Sequence, residues 1–242
     1  MADTLLSVRS ISKSFRGLHA MVEVSFSVEE GHIVALIGPN GSGKTTCFNM
    51  ISGALAPDAG EIHFAGQRID GMRADQVCLA GIGRTFQLVK PFAGLSVLDN
   101  VIVGALRRNS SMGVARRKAQ EILELLGLAE KRDQSASSLT LPDRKRLEVA
   151  RALATEPRLL LLDEVMAGLR PTEIDLLVAI FRRMNEEHGL TILLIEHVMR
   201  PVMALSREIH VLHHGELIAN GSPDEVVRHP AVLECYLGEE AV

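Results

Sequence analysis

The chain has 242 residues, a formal net charge of −4 at pH 7, and 47% hydrophobic residues. This length supports a buried core, and the composition excludes a long disordered or collagen-like protein. The slightly acidic balance argues against a dedicated nucleic-acid-binding protein, which would usually be basic. No apolar run reaches the roughly 20 residues that a membrane-spanning helix needs, so we expect no direct membrane span.

The cysteine and aromatic residues limit which metal sites and which stacking contacts the chain can form. The three cysteines, Cys47, Cys78 and Cys235, show no metal-ligand spacing, and the N-terminus lacks a secretory signal pattern. We therefore expect free thiols in a reducing cytoplasm. Aromatic residues make up only 3% of the chain, with no Trp and one Tyr. Any aromatic stacking on a ligand must come from a Phe or from Tyr236.

The first part of the chain shows a β pattern. Val22, Val24, Phe26 and Val28 alternate with other residues, which is the period of a half-buried strand. The apolar run at residues 32–37 predicts a buried strand, and a helix that continues through Ser52 is predicted after the following glycine-rich loop. Further strands are predicted at residues 61–64 and 82–86.

Helical spacing dominates the middle of the chain, and strands return after it. Helices are predicted at 96–108, 114–127 and 143–154, with Ser96 as an N-cap, so residues 88–156 form a helical block. Strands at 159–162 and 191–195 flank a helix that starts near Pro171, and 208–212 with 216–219 form a hairpin. This alternation predicts an α/β fold with a mostly parallel sheet and an antiparallel β flank.

A phosphate-binding loop of the form G-x-x-x-x-G-K-[ST] follows the strand at residues 32–37. It consists of Gly38, Pro39, Asn40, Gly41, Ser42, Gly43, Lys44 and Thr45, with Thr46 next in the chain. The glycines let backbone N–H groups face the phosphates, and the helix N-terminus adds its dipole. Lys44 is placed for the β- and γ-phosphates, and the Thr45 hydroxyl for Mg²⁺.

Two carboxylates, Asp163 and Glu164, end the strand at residues 159–162. A core strand of a nucleotide-binding fold would place Asp163 near the phosphate loop to support Mg²⁺, with Glu164 beside an attacking water. An acidic pair after a strand is more often a solvated loop when it stands alone. The phosphate loop upstream favours the functional interpretation.

Three single residues each allow a functional and a structural interpretation. His197 follows the strand at 191–195 and could reach a γ-phosphate or be a structural or surface histidine. Gln87 follows the strand at 82–86 and could equally be a surface amide. Phe15 lies off the alternating apolar face and is either a base-stacking residue or a partly exposed loop residue.

The order of these motifs resembles that of ABC-transporter ATP-binding subunits over essentially the whole chain. The subfamily resembled is that of branched-chain amino acid importers. The segments that carry the resemblance are residues 83–87, 145–151, 167–171, 195–197, 215–216 and 221–223. The resemblance implies a single ABC ATPase domain, residues 1–242, in which a helical subdomain (88–156) is inserted into a nucleotide-binding core (1–87 and 157–242).

The resemblance also implies roles for individual residues. Phe15 would stack on adenine, residues 38–46 would cradle the phosphates of ATP, and Lys44 would also serve catalysis. Gln87 would sense Mg²⁺ and the γ-phosphate and link to the membrane partner. Asp163 would support Mg²⁺ together with Thr45, Glu164 would be the general base, and His197 would contact the γ-phosphate.

At the assembly level, the resemblance implies two ATPase subunits, identical or different, that clamp two ATP molecules head to tail. Transmembrane permease subunits would complete an importer, with this chain on the cytoplasmic face of the cell membrane. Each ATP site would be completed by the signature segment of the other subunit. The family's signature is Leu-Ser-Gly-Gly-Gln, whereas this chain has Leu139-Thr140-Leu141-Pro142-Asp143. Thr140 keeps a hydroxyl for the nucleotide, but both glycines are absent.

Two other functions therefore stay open. The altered signature favours a nucleotide-binding regulatory subunit with weak hydrolysis. The second alternative is an ABC ATPase that acts in DNA repair or translation. Such proteins usually carry long coiled coils or two fused ATPase copies, and neither is visible in this sequence.

Overall fold

The computed structural model describes residues 3–109 and 111–237, except for the side chain of residue 237, and within these ranges it contains ten strands and nine α-helices. The strands are β1 (Thr4–Phe15), β2 (Leu18–Glu29), β3 (Ile33–Ile37), β4 (Ala59–Phe64), β5 (Gln67–Arg68), β6 (Ile82–Arg84), β7 (Leu159–Asp163), β8 (Thr191–Ile195), β9 (Glu208–His213) and β10 (Glu216–Gly221). The helices are α1 (Lys44–Ile51), α2 (Ala74–Ala80), α3 (Val97–Ala105), α4 (Met112–Leu125), α5 (Leu141–Leu153), α6 (Pro171–His188), α7 (Met199–Leu205), α8 (Pro223–Val226) and α9 (Pro230–Leu237).

The strands form two sheets. An antiparallel sheet has the order β2-β1-β4-β5, and a six-stranded sheet has the order β10-β9-β3-β8-β7-β6. In the second sheet β9, β3, β8, β7 and β6 are parallel, and β10 is an antiparallel edge strand. The carboxyl ends of β3, β7 and β8 therefore lie along the same side of the sheet, the edge formed by the strand ends. This is where α/β folds bind ligands.

The two faces of the parallel sheet bury different partners because side chains alternate along each strand. In β3, Ile33, Ala35 and Ile37 pack with helices α3 to α6, whereas Val34 and Leu36 pack with α1 and the antiparallel sheet. Strands buried on both faces need continuous apolar sequences, which explains why β3, β7 and β8 were recognisable as uninterrupted runs. Helix α1 is thus held between the two sheets directly behind the phosphate loop.

Most predicted elements are present with shifted ends. The predicted strand at 82–86 ends at Arg84, and the predicted helix at 96–108 ends at Ala105. Ser96 caps α3 as expected, with its hydroxyl accepting from the Asp99 N–H at 3.0 Å. In β2 the predicted alternation is interrupted at Glu23, whose φ of 49° marks an irregularity, so that Met21 rather than Val22 is fully buried.

The fold class is confirmed: the structure is α/β, with a mostly parallel sheet, an antiparallel β flank and helices α3 to α5 between β6 and β7. The division into a core and an inserted helical subdomain at residues 88–156 stays a prediction. Among the described residues, none of the helices combines the length and the apolar character needed to cross a membrane.

Candidate ATP-binding and hydrolysis site

The phosphate loop connects β3 to α1 in a conformation that requires glycine. Gly38 and Gly43 have φ values of 148° and 107°, which side-chain-bearing residues rarely adopt. A Cβ atom at Gly38 would lie 2.0 Å from the Leu212 carbonyl oxygen, and one at Gly43 would lie 2.6 Å from the Ala20 carbonyl oxygen. The loop is therefore shaped by its neighbours in β9 and β2 as well as by its own turn.

Lys44 folds back over the loop that precedes it. Its ammonium donates to the carbonyl oxygens of Gly38 and Pro39, both at 2.7 Å, and lies 3.4 Å from the Ser42 hydroxyl. The residue is 7% exposed. An ammonium held over the mouth of the loop is placed to exchange these carbonyl oxygens for phosphate oxygens.

Glu164 lies where three predicted site residues converge. It follows β7 with a φ of 49°, and its N–H donates to the Ile195 carbonyl at the end of β8. The Gln87 amide donates to Oε2 of Glu164 at 2.6 Å, and His197 Nδ1 lies 3.5 Å from Oε1. Gln87, Glu164 and His197 come from three chain segments, and the structure brings their side chains together at one carboxylate.

The oxygen donors at this edge fit a magnesium ion. Asp163, the last residue of β7, has its Oδ1 buried with no hydrogen-bond partner among the described residues. Asp163 lines a cleft of about 500 Å³ together with Thr45 and Gln87. Carboxylate, hydroxyl and amide oxygens are the hard ligands that Mg²⁺ binds, usually while keeping several waters. Burial raises the pKa of Asp163, and the neighbouring Arg84 partly offsets this.

Two buried charged residues, Lys145 and Glu196, lie behind the site and were not predicted as site residues. Lys145 of α5 donates to the main-chain carbonyl of Glu164 at 2.9 Å. Glu196, fully buried between β8 and His197, accepts from the Met166 N–H at 2.9 Å. Burial raises the pKa of Glu196 to about 7 and lowers that of Lys145. These contacts tie α5 and the segments after β7 and β8 together behind Glu164.

A family model described as ABC transporter matches residues 21–167, which is more than half of the chain. The chain belongs to the ABC transporter family. A second model, described as branched-chain amino acid ATP-binding cassette transporter, matches residues 216–242. The chain is thus an ATP-binding subunit of this family, an ATPase whose hydrolysis is coupled to transport.

Relatives of this ABC ATPase extend over the whole chain. LivG of Salmonella typhimurium, a high-affinity branched-chain amino acid transport ATP-binding protein, is 39% identical over 99% of this chain and 100% of LivG. BraF of Pseudomonas aeruginosa, described in the same words, is 37% identical with the same coverage. Among solved structures, the ADP conformation of MJ1267, an ATP-binding cassette of an ABC transporter, has a TM-score of 0.88 and 31% identity, covering 98% of this chain and 99% of that one.

The predicted signature segment of this ABC ATPase, Leu139–Asp143, spans the start of α5. Thr140 is the N-cap residue, and its hydroxyl donates to Asp143 Oδ2 at 2.8 Å. Asp143 is buried and also bonds Lys131 and Arg146. Burial opposes ionisation of Asp143, but these partners outweigh it and lower its pKa. A role for Thr140 at the nucleotide of a second subunit stays a prediction, and its hydroxyl would first have to leave Asp143.

Thr140 lines a cleft of about 500 Å³. The rest of its lining comes from Lys131, α5, α6 and the segment before α6, and none of it from the phosphate loop. The proline at position 142 has no N–H. The first turn of α5 therefore presents the N–H groups of Leu141 and Asp143 instead of a glycine-rich backbone.

Phe15 lies at the end of β1, 44% exposed, with its ring 5.9 Å from the Lys13 ammonium. It pairs with Leu18 at the turn into β2. Two residues further along β2, the Ala20 carbonyl oxygen closely approaches Gly43 of the phosphate loop. The exposed ring is thus carried on a hairpin that touches the loop. Stacking of Phe15 on adenine stays a prediction.

Proposed function

We propose that this chain is the ATP-hydrolysing subunit of an importer for branched-chain amino acids or related small molecules. The observation that carries the proposal is the similarity to LivG and BraF over nearly the full length of each chain. The match of residues 216–242 to a branched-chain amino acid cassette model supports the same substrate class. In this assembly the chain is a peripheral subunit on the cytoplasmic face of the membrane, bound to permease subunits and a second ATP-binding subunit.

The geometry supports a hydrolytic role for the residues at the sheet edge. Glu164 would accept a proton from the attacking water, while the Gln87 amide, which donates to Oε2, holds the carboxylate in place. His197 and Lys44 would stabilise charge on the γ-phosphate, since phosphoryl transfer depends mainly on positioning and electrostatics. Thr45, Gln87 and Asp163 would hold Mg²⁺, which neutralises charge between the phosphates when bound.

Uptake by cells tests the importer directly. Cells that lack this chain should lose high-affinity uptake of radiolabelled leucine, isoleucine and valine, and the wild-type chain should restore it. The complex purified from membranes through a tag on the chain should contain permease subunits and an ATP-binding subunit. Unchanged uptake of all three amino acids, with another substrate lost instead, would contradict the substrate class but not the ATPase.

The altered signature supports a second, narrower proposal about the dimer. We expect this chain to work beside a different ATP-binding subunit whose signature is less altered. This chain's Lys44 and Glu164 would face that less altered signature, whereas the other subunit's phosphate loop would face Thr140 and Pro142. Loss of one preorganised donor costs on the order of 100-fold in rate by analogy with oxyanion-hole deletions.

Single-site turnover in the reconstituted pair measures this asymmetry. Glu164→Gln in this chain should abolish most ATPase activity, and the equivalent substitution in the other subunit should remove little. Equal effects would mean that the N–H groups of Leu141 and Asp143 replace the glycines fully. Weak turnover of the complete wild-type complex would instead favour the regulatory function.

A further inference from the structure

One buried cation beside the candidate magnesium site has no assigned role. Arg84 ends β6, and its side chain is 8% exposed. Its Nη2 donates to Oδ2 of Asp163 at 2.9 Å, and the Asp163 side chain is 2% exposed. Of the two carboxylate oxygens, Oδ2 is thus held by Arg84, while Oδ1 has no partner among the described residues.

The other arm of the same guanidinium holds helix α1. Nη1 of Arg84 donates to Asn49 Oδ1 at 2.7 Å and to the Ser52 hydroxyl at 2.8 Å. Residues 45, 49 and 52 are spaced i, i+4 and i+7, so Arg84 holds the helix face that carries Thr45. The rings of Phe48 and Phe86 lie 5.9 and 5.1 Å from the guanidinium carbon and limit its movement.

We propose that Arg84 is a positioning residue that fixes Asp163 relative to Thr45 and so presets the magnesium site. A guanidinium donates in a rigid planar fork and can bridge a carboxylate to a second element, which a lysine ammonium does less well. Any rotation of the Asp163 carboxylate that displaces Oδ1 must break the bond between Oδ2 and Arg84, and both residues line the cleft that Thr45 also lines. Outer partners of metal-binding groups typically change metal affinity 10- to 100-fold when removed.

This inference rests on the proposed magnesium site, and nucleotide binding tests it without turnover. The dissociation constant of a non-hydrolysable ATP analogue would be measured in EDTA and across a MgCl₂ series, with full-length protein. For Arg84→Gln we expect affinity in EDTA within about twofold of wild type, because the loop and Lys44 are unchanged. The MgCl₂ concentration for half-maximal tightening should rise about 10-fold or more. Arg84→Lys, which keeps the charge but not the fork, should also show a clear rise.

Ser52→Ala provides a test that leaves both members of the buried ion pair in place. Ser52 does not line the cleft shared by Thr45 and Asp163; its hydroxyl accepts from Nη1 of Arg84 and donates to the Asn49 carbonyl oxygen at 3.4 Å. We expect a rise of about 2- to 10-fold in the required MgCl₂, the scale of one hydrogen bond. Arg158→Gln, which breaks an exposed pair with Glu30, is the matched control and should behave as wild type.

The outcomes separate the two proposals. If MgCl₂ does not change the affinity of the wild-type protein for the analogue, the magnesium site is overturned, and the role of Arg84 with it. If MgCl₂ tightens analogue binding to the wild-type protein and Arg84→Gln needs no more MgCl₂ than wild type, the positioning role alone is overturned. The same holds if Arg84→Lys needs no more than wild type. If both Arg84 variants unfold, an unchanged response in Ser52→Ala overturns it.

Discussion

Replacing Glu164 with Gln should leave ATP binding intact and lower ATP turnover by about 10²- to 10⁴-fold, the usual contribution of a general base. The substitution preserves shape, and the amide oxygen of the new side chain can still accept from Gln87, as Oε2 does at 2.6 Å. What it loses is the ability to take a proton from water. Because hydrolysis then cannot reopen the dimer, ATP should stabilise the closed form.

This prediction is tested by measuring the ATP turnover and the nucleotide affinity of the variant. Sedimentation of the ATP-bound protein shows whether the dimer is stabilised. Glu121→Gln, an exposed carboxylate of α4 near Lys118, is the matched control and should behave as wild type. Near-normal turnover in Glu164→Gln would remove Glu164 as the base, and a loss of ATP affinity would indicate a structural defect instead.

Replacing Lys44 with Ala should weaken ATP binding about 10- to 100-fold, since hydrogen bonds to charged groups contribute about 1.5–3 kcal/mol. The ammonium is already held at the loop by the Gly38 and Pro39 carbonyl oxygens. It therefore needs only a local rearrangement to reach the β- and γ-phosphates. Binding in EDTA isolates this effect from Mg²⁺.

Calorimetry measures the ATP affinity of Lys44→Ala. Lys118→Ala, which removes an exposed lysine, is the control. The affinity of adenosine should change little in either variant, because it carries no phosphate for Lys44 to contact. Unchanged ATP affinity in Lys44→Ala would show that the phosphate-loop interpretation is wrong.

Two of the described helices that were not predicted, α2 and α7, share a physical cause. Helix α2 buries only Val77, so it shows no amphipathic stripe. It depends on the Gln76 side-chain oxygen, which accepts from the Arg73 N–H at 2.9 Å, and on Gly81 at its end. Helix α7 is seven residues long and carries Pro201 in its first turn. Short helices of this kind are stabilised by what they pack against rather than by a periodic pattern.

The sequence by itself determined the elements whose causes are local. The loop from Gly38 to Thr45 needs its glycines in a fixed order, and the buried strands need uninterrupted apolar runs, so both are readable without a fold. Only the tertiary structure revealed the groups behind the site, because their partners are distant in the chain. Arg84 meets Asp163 across 79 positions, and Glu196 meets the Met166 N–H across 30. A buried charge is tolerated only where folding supplies its counter-ion or hydrogen bonds, and that supply is a property of packing rather than of sequence spacing.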